Sequence, residues 1–195
     1  GRVQNALKAK VPGVLTIIAP RHPDRGAAVA RELTDQGLRV ARRSLNEPIL
    51  DTTDAYIADT MGELGLFYRL CKIVFIGKTM SIKGADGKTV GGGQNPIEPA
   101  LLSCALIFGK DMSNFEDISC TLVKAGAARW VADEPELTET VETFMSQQHL
   151  CAEAATAALT TARSEADVLD RVMTALDPFF TKTLQVGDIL SDTRG

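Results

Sequence analysis

Aromatic residues are scarce, at 5% of the 195-residue chain. That leaves little with which to stack nucleobases and argues against single-stranded nucleic acid as a partner. The four cysteines, at 71, 104, 120 and 151, form no C-x-x-C pair, and there are two histidines, His22 and His149. The ligand sets of structural zinc are missing. Isolated cysteines near apolar stretches are expected to be reduced core residues of an intracellular protein. No apolar run approaches the ~18–20 residues of a membrane span; the longest, near Val14–Ala19 and Ile73–Ile76, have the length of strands. The N-terminus, GRVQNALKAK, has no apolar signal-peptide core and no initiator Met, as expected of a piece of a longer chain. Gly 16 and Pro 8 are too few for a low-complexity chain. P-loop, G-x-G-x-x-G, D-x-D and G-x-S-x-G motifs are absent, and nothing resembles a nucleophilic triad. No metal or cofactor is called for.

What is present is a chain with 45% apolar and 24% charged residues, enough to bury a core of one good-sized domain. The net charge of −4 hides an asymmetry: residues 1–45 carry +6 and residues 46–195 carry −10. The basic section suits an anion such as phosphate, or is simply a solvated face. The acidic remainder argues against nucleic acid as the main partner.

Short apolar runs alternate with helical stretches. Strands are expected at 14–19, 38–42, 55–59, 72–77, 105–109 and 128–133. Helices are expected at 27–37, 63–70, 96–102 and 114–125, and from 134 to about 176 with a break near 147–151. Strands separated by helical pieces, each a continuous apolar run, read as a buried parallel sheet with crossover helices. The fold class is therefore α/β, a Rossmann-like parallel sheet with flanking helices. In such sheets ligands bind beyond the carboxyl ends of the strands. Ala155, Leu159, Ala162, Ala166, Leu169, Met173 and Leu176 recur at helical spacing and are expected to form a narrow packing seam. Residues 178–195 read as a C-terminal tail.

Four segments sit where such a fold would place chemistry. APRHPDRG, Ala19–Gly26, follows the first strand, with Arg21 and His22 at its carboxyl end and Pro23 suited to open a helix. An Arg fork beside free backbone N–H groups makes a phosphate cradle; a turn of solvated charges is the plainer alternative. In DTMGELG, Asp59–Gly65, Thr60 and Glu63 have capping-box spacing, while Gly62 would let a ligand approach the backbone. In GGGQNPIEPA, Gly91–Ala100, Asn95 is a good N-cap and Glu98 takes the capping-box position. The three glycines allow a tight loop against a ligand, and Glu98 could instead accept hydrogen bonds from two ribose hydroxyls. Ser113 and Glu116, in GKDMSNFEDI, read as one more capping box.

In this order, IIAPRHPDRG, DTMGELGLFYRL, GGGQNPIEPA and DMSNFEDI resemble the C-terminal half of the bacterial 3-deoxy-D-manno-octulosonic acid (Kdo) transferases, from about Pro12 to Met145. The resemblance implies the C-terminal half of a GT-B fold glycosyltransferase, in which this domain binds the donor CMP-Kdo. The parent enzyme would pass Kdo to a lipid A precursor at the cytoplasmic face of the bacterial inner membrane, in lipopolysaccharide biosynthesis. Carried over, Arg21 and His22 match the arginine–histidine motif of the nucleotide site. Met61, Gly62 and Glu63 match the loop near the CMP phosphate and base. Asn95 and Glu98 belong to the N-P-x-E motif, with Glu98 implied at the ribose.

The chain departs from the pattern at three places. Many members read FVGGS where it has Phe75-Ile76-Gly77-Lys78-Thr79, a histidine where it has Gln94, and Gly-Pro where it has Gly109-Lys110. The acceptor domain with its catalytic acid is missing, and so is the opening strand of the donor domain. Residues 1–177 are thus expected to form a CMP-Kdo-binding domain without its first strand, soluble and inactive alone. The alternatives are a non-catalytic nucleotide-binding or interaction module of GT-B descent, and a different GT-B sugar-nucleotide enzyme.

Overall fold

The computed structural model describes residues 1–80, 82–83 and 89–166. In order these form α1 (Arg2–Lys10), β1 (Thr16–Ile18), α2 (Gly26–Asp35), β2 (Val40–Arg42), β3 (Ala55–Ile57), α3 (Leu64–Leu70), β4 (Ile73–Phe75), β5 (Ile82–Lys83), β6 (Thr89–Val90), α4 (Ile97–Leu101), β7 (Ala105–Phe108), α5 (Glu116–Lys124), β8 (Ala128–Trp130) and α6 (Glu134–Ser146). A further helix, α7, covers 148–166. The expected tail, 178–195, and the end of the seam at Leu169, Met173 and Leu176 lie outside the described residues.

The six expected strands are all found, and every pairing among them is parallel. They do not form one sheet. They form two three-stranded sheets, in the orders β1-β3-β2 and β4-β7-β8, with β5 and β6 as a separate antiparallel pair. Central strands are sealed: Ala55, Tyr56 and Ile57 of β3 and all four residues of β7 are buried. Flanking β1 and β4 are not. Thr16–Ile18, Ile73 and Val74 are half-buried, and Phe75 is 36% exposed.

Side chains alternate across each sheet, so each central strand feeds two cores. Ala55 and Ile57 meet Leu33 and Leu38, with Val29 and Ala30 of α2 beside them, while Tyr56 and Ala58 meet Phe67 of α3. Leu106 and Phe108 pack with Leu122 of α5 and with Ala158 and Ala162 of α7. Ala105 and Ile107 pack with Leu137 and Phe144 of α6 and with Cys151 and Ala154. Helices on both faces make this the doubly wound α/β arrangement expected of the sequence.

Two details differ from expectation. The buried face of α7 is Cys151, Ala154, Ala158 and Ala162, whereas Ala155 and Leu159 are half-buried and Ala166 is exposed. The seam is turned by about one residue because small side chains, not the larger Leu159, lie closest to the sheet. Of the cysteines, Cys104 and Cys151 are core residues, but Cys120 lies on the outer side of α5; all are free thiols.

α1 has no apolar stripe; Gln4 and Leu7 are its buried residues. Polar contacts on two sides hold it. Gln4 donates from Nε2 to the Val14 carbonyl (2.9 Å) and accepts from the Thr16 hydroxyl, and Lys8 pairs with Asp54 at 2.7 Å. Arg2 pairs with Glu134, and Lys10 with Glu142, on α6. The helix thus ties the start of the first sheet to a helix that covers the second.

Candidate functional site

The first, second and fourth motif segments follow the carboxyl ends of the parallel strands β1, β3 and β7, the third follows β6, and together they form a rim. The structure links these segments in sequence.

The first and second meet at Gly26 and Asp59. A Cβ on Gly26 would lie 2.3 Å from an Asp59 carboxylate oxygen, so only glycine fits there. The Asp59 side chain is fully buried. Its Oδ2 accepts from Arg42 Nε and Nη2 (2.9 and 2.7 Å) and from the Ser44 hydroxyl (2.8 Å), and its Oδ1 accepts from the Ser44 N–H (2.9 Å). Burial opposes ionisation, but these hydrogen bonds outweigh it and hold the carboxyl below its usual range. Arg21 and His22 are exposed at the end of β1. His22 precedes a 3₁₀ turn, Pro23–Arg25, which Pro23 opens as the sequence suggested.

The capping box at Thr60 and Glu63 does not form. α3 starts only at Leu64, and Glu63 is its N-cap without a side-chain cap bond. The Glu63 carboxylate is drawn sideways by Arg43 instead (Nη2 to Oε1 2.6 Å), and also accepts from the Thr60 hydroxyl. These bonds, Arg43 first, hold its pKa down to about 2. Met61 is 77% exposed. Gly62 has φ +81° with nothing within 4 Å of a Cβ position, so its backbone is open to a ligand and its conformation favours glycine.

The second and third segments meet at Glu98. This residue is exposed, and its Oε1 stands 3.7 Å from where a Cβ on Gly65 would be. Burial, and then the Glu98 charge, push the Tyr68 hydroxyl up to about 12. Glu98 does not act as a cap: α4 has no side-chain cap bond from it, and among the described residues its carboxylate accepts no hydrogen bond. Asn95 does cap in effect, since its Oδ1 accepts from the Ile97 N–H at 2.9 Å.

The third and fourth segments are packed together tightly. Asn114 N–H donates to the Gly92 carbonyl (3.0 Å) and Gly93 N–H to the Lys78 carbonyl (3.1 Å). Gly92 and Gly93 have positive φ, and a Cβ on either would lie 2.4 Å from the side chain of Asn114 or Met112. These two glycines let loop pack on loop. The expected box at Ser113 and Glu116 is also absent. Ser113 hydrogen-bonds Asp111 Oδ1 and begins a 3₁₀ turn.

Beneath these loops lies Thr79, fully buried. Its hydroxyl donates to the Ile76 carbonyl (2.8 Å) and accepts the Gly109 N–H (2.7 Å); its carbonyl accepts the Asp111 N–H (2.9 Å). A Cβ on Gly109 would lie 2.4 Å from the Thr79 carbonyl oxygen, which is backbone and cannot swing away. Gly109→Ala is expected to cost about 1–3 kcal/mol of stability, as overpacking does, read as a lowered denaturant midpoint; an unchanged midpoint would mean that this contact is loose.

Arg21, His22, Met61, Gly62, Asn95 and Glu98 are thus all exposed at the rim, and Glu63 is held at its edge by Arg43. Sequence reasoning missed Arg42, Arg43 and the part played by Asp59. No local motif marks an arginine on one strand as the partner of an acid seventeen residues on. Among the described residues no three His, Cys, Asp or Glu side chains group as around a metal ion. A groove of about 740 Å³ between α1 and α6 contains none of the motif residues.

No family model matches the sequence. Individual proteins do. The 3-deoxy-D-manno-octulosonic acid transferase of Haemophilus influenzae is 29% identical over 180 residues, 92% of this chain and 40% of that protein. That of Rickettsia bellii is 35% identical over 136 residues, 70% of this chain and 30% of the relative. A probable mitochondrial enzyme of the same name from Arabidopsis thaliana is 32% identical over 151 residues, 76% of this chain and 32% of the relative. The chain therefore spans well under half the length of these relatives. Among solved structures, the C-terminal CMP-Kdo binding domain of WaaA from Acinetobacter baumannii is similar, with a TM-score of 0.67 and 26% identity, covering 80% of this chain and 79% of that one.

Proposed function

Since this chain belongs with the Kdo transferases and is similar to the C-terminal domain of one of them, we propose that it is the donor-binding half of such an enzyme and holds CMP-Kdo at the rim described above. The observation that carries the reading is Glu98. Its carboxylate faces outward beside Gly65 with both oxygens unused among the described residues, which suits two vicinal ribose hydroxyls. Arg21 and His22 at the end of β1 would take the CMP phosphate, and the exposed Met61–Gly62 backbone would lie along the nucleoside. Asn95 would fix the loop that carries Glu98.

In this reading the transfer of Kdo to a lipid A precursor, at the inner membrane in lipopolysaccharide synthesis, needs a second domain that presents the acceptor and its base. The membrane is engaged by the whole enzyme; none of the helices described here is long and apolar enough to cross one. Residues 1–177 would be the donor domain. The divided sheet fits as well: a parallel strand leading into α1 would pair with the open sides of β1 and β4 and join the two sheets.

The test is titration of the chain with CMP, UMP, GMP and AMP, followed by chemical shifts. CMP is expected to bind selectively with a dissociation constant of roughly 0.1–1 mM, about −4 to −5.5 kcal/mol. Equal shifts with UMP would refute the cytidine assignment.

A further inference from the structure

Two lysines that no motif explains lie on either side of one buried knot. Lys78 immediately precedes Thr79, and Lys110 immediately follows Gly109; these are the two residues joined by the 2.7 Å bond from the Gly109 N–H to the Thr79 hydroxyl. The Asp111 N–H closes the knot on the Thr79 carbonyl at 2.9 Å. Both lysines are exposed, at the carboxyl ends of the adjacent parallel strands β4 and β7.

Lys78 also has φ +62°, the left-handed conformation that favours glycine. It is held there by the Gly93 N–H on its carbonyl and by the burial of Thr79 behind it. A lysine kept at such a position points to a use for its charge. Asp111, the acid next to Lys110, accepts at Oδ1 from the Ser113 hydroxyl and N–H. Among the described residues neither lysine forms an ion pair, whereas Arg42 and Arg43 at the same rim each have a carboxylate. Two cations on touching loops, with no carboxylate partner among the described residues, suit an anion that joins them.

We infer that Lys78 and Lys110 together seat the sugar carboxylate of the donor. The inference rests on the donor reading above. In it the single phosphate goes to Arg21, so the carboxylate of Kdo is the remaining negative group. Lys78 stands one hydrogen bond from the loop that carries Asn95 and Glu98, which places the pair beside the nucleoside site.

The experiment compares CMP with CMP-Kdo by calorimetric titration on the wild type, Lys78→Gly, Lys110→Ala and the double variant. Glycine at 78 keeps the left-handed backbone, so its thermal midpoint should be unchanged or higher, and lost binding cannot then be put down to misfolding. The double variant is expected to lose tenfold or more in CMP-Kdo affinity while its CMP affinity stays within twofold. Equal losses for both ligands would assign the lysines to the phosphate and overturn the inference, as would no loss for either. Failure of the donor reading itself would show differently, as a wild-type chain that does not bind CMP.

Discussion

Asp59→Ala is expected to destabilise the protein by about 2–4 kcal/mol, because removing one member of a buried ion pair strands the other. The Asp59 side chain is wholly buried, whereas Arg42 retains 22% exposure and can recover some hydration, which places the effect toward the lower end. Four hydrogen bonds from Arg42 and Ser44 are lost with it. The same carboxylate should make stability depend on acid. Its folded pKa is lowered, so its contribution is complete above the unfolded value near ~4 and fades as pH falls through the lower folded value. Chemical denaturation between pH 7 and pH 2.5 should show that decline in the wild type and a shallower one in Asp59→Ala. A variant as stable as the parent, with the same acid profile, would show that the pair contributes nothing net.

Glu98→Gln is expected to weaken CMP binding about ten- to hundredfold, or ~1.5–3 kcal/mol, with little change in stability. A carboxylate accepts from two hydroxyls with two oxygens; an amide offers one acceptor and turns an NH₂ toward the second hydroxyl. Were Glu98 a cap, glutamine would replace it well, yet it makes no capping bond here. The variant should therefore keep its thermal midpoint within about 0.5 kcal/mol of the parent's stability, the ordinary range for a surface change. Unchanged CMP affinity would remove Glu98 from the site.

The alternation of strand and helix was plain in the sequence because buried parallel strands leave continuous apolar runs, as ALIF at 105–108 shows. Their ends were read too long. The strands are three or four residues, and residues such as Ala58 and Val131 are buried beyond the ladder. α1 escaped notice because polar side chains hold it, through partners as distant as Glu134 and Glu142. The three capping boxes failed for a common reason. A cap residue with Glu three positions on records what a helix start can do, but Arg43 takes Glu63, Glu98 faces outward and leaves Asn95 to cap alone, and Ser113 turns back to Asp111. Which side chains stand at the rim was legible from their place after strands. What braces them was not, since the bracing runs between segments: Gly26 against Asp59, Asn114 against Gly92, Gly109 against Thr79.

The open sides of β1 and β4 bear on how the chain behaves in concentrated solution. Thr16-Ile17-Ile18 and Ile73-Val74-Phe75 are β-branched or aromatic, half-buried at best, and paired on one side only among the described strands. Such edges are templates for any other extended segment, including the same edge of another molecule. Lys72 is the one charge beside β4, and β1 has none in its span or next to it. Paired on one side only among the described strands, these edges favour self-association. Covering either edge would keep the protein monodisperse, so these two strands govern colloidal stability as much as folding.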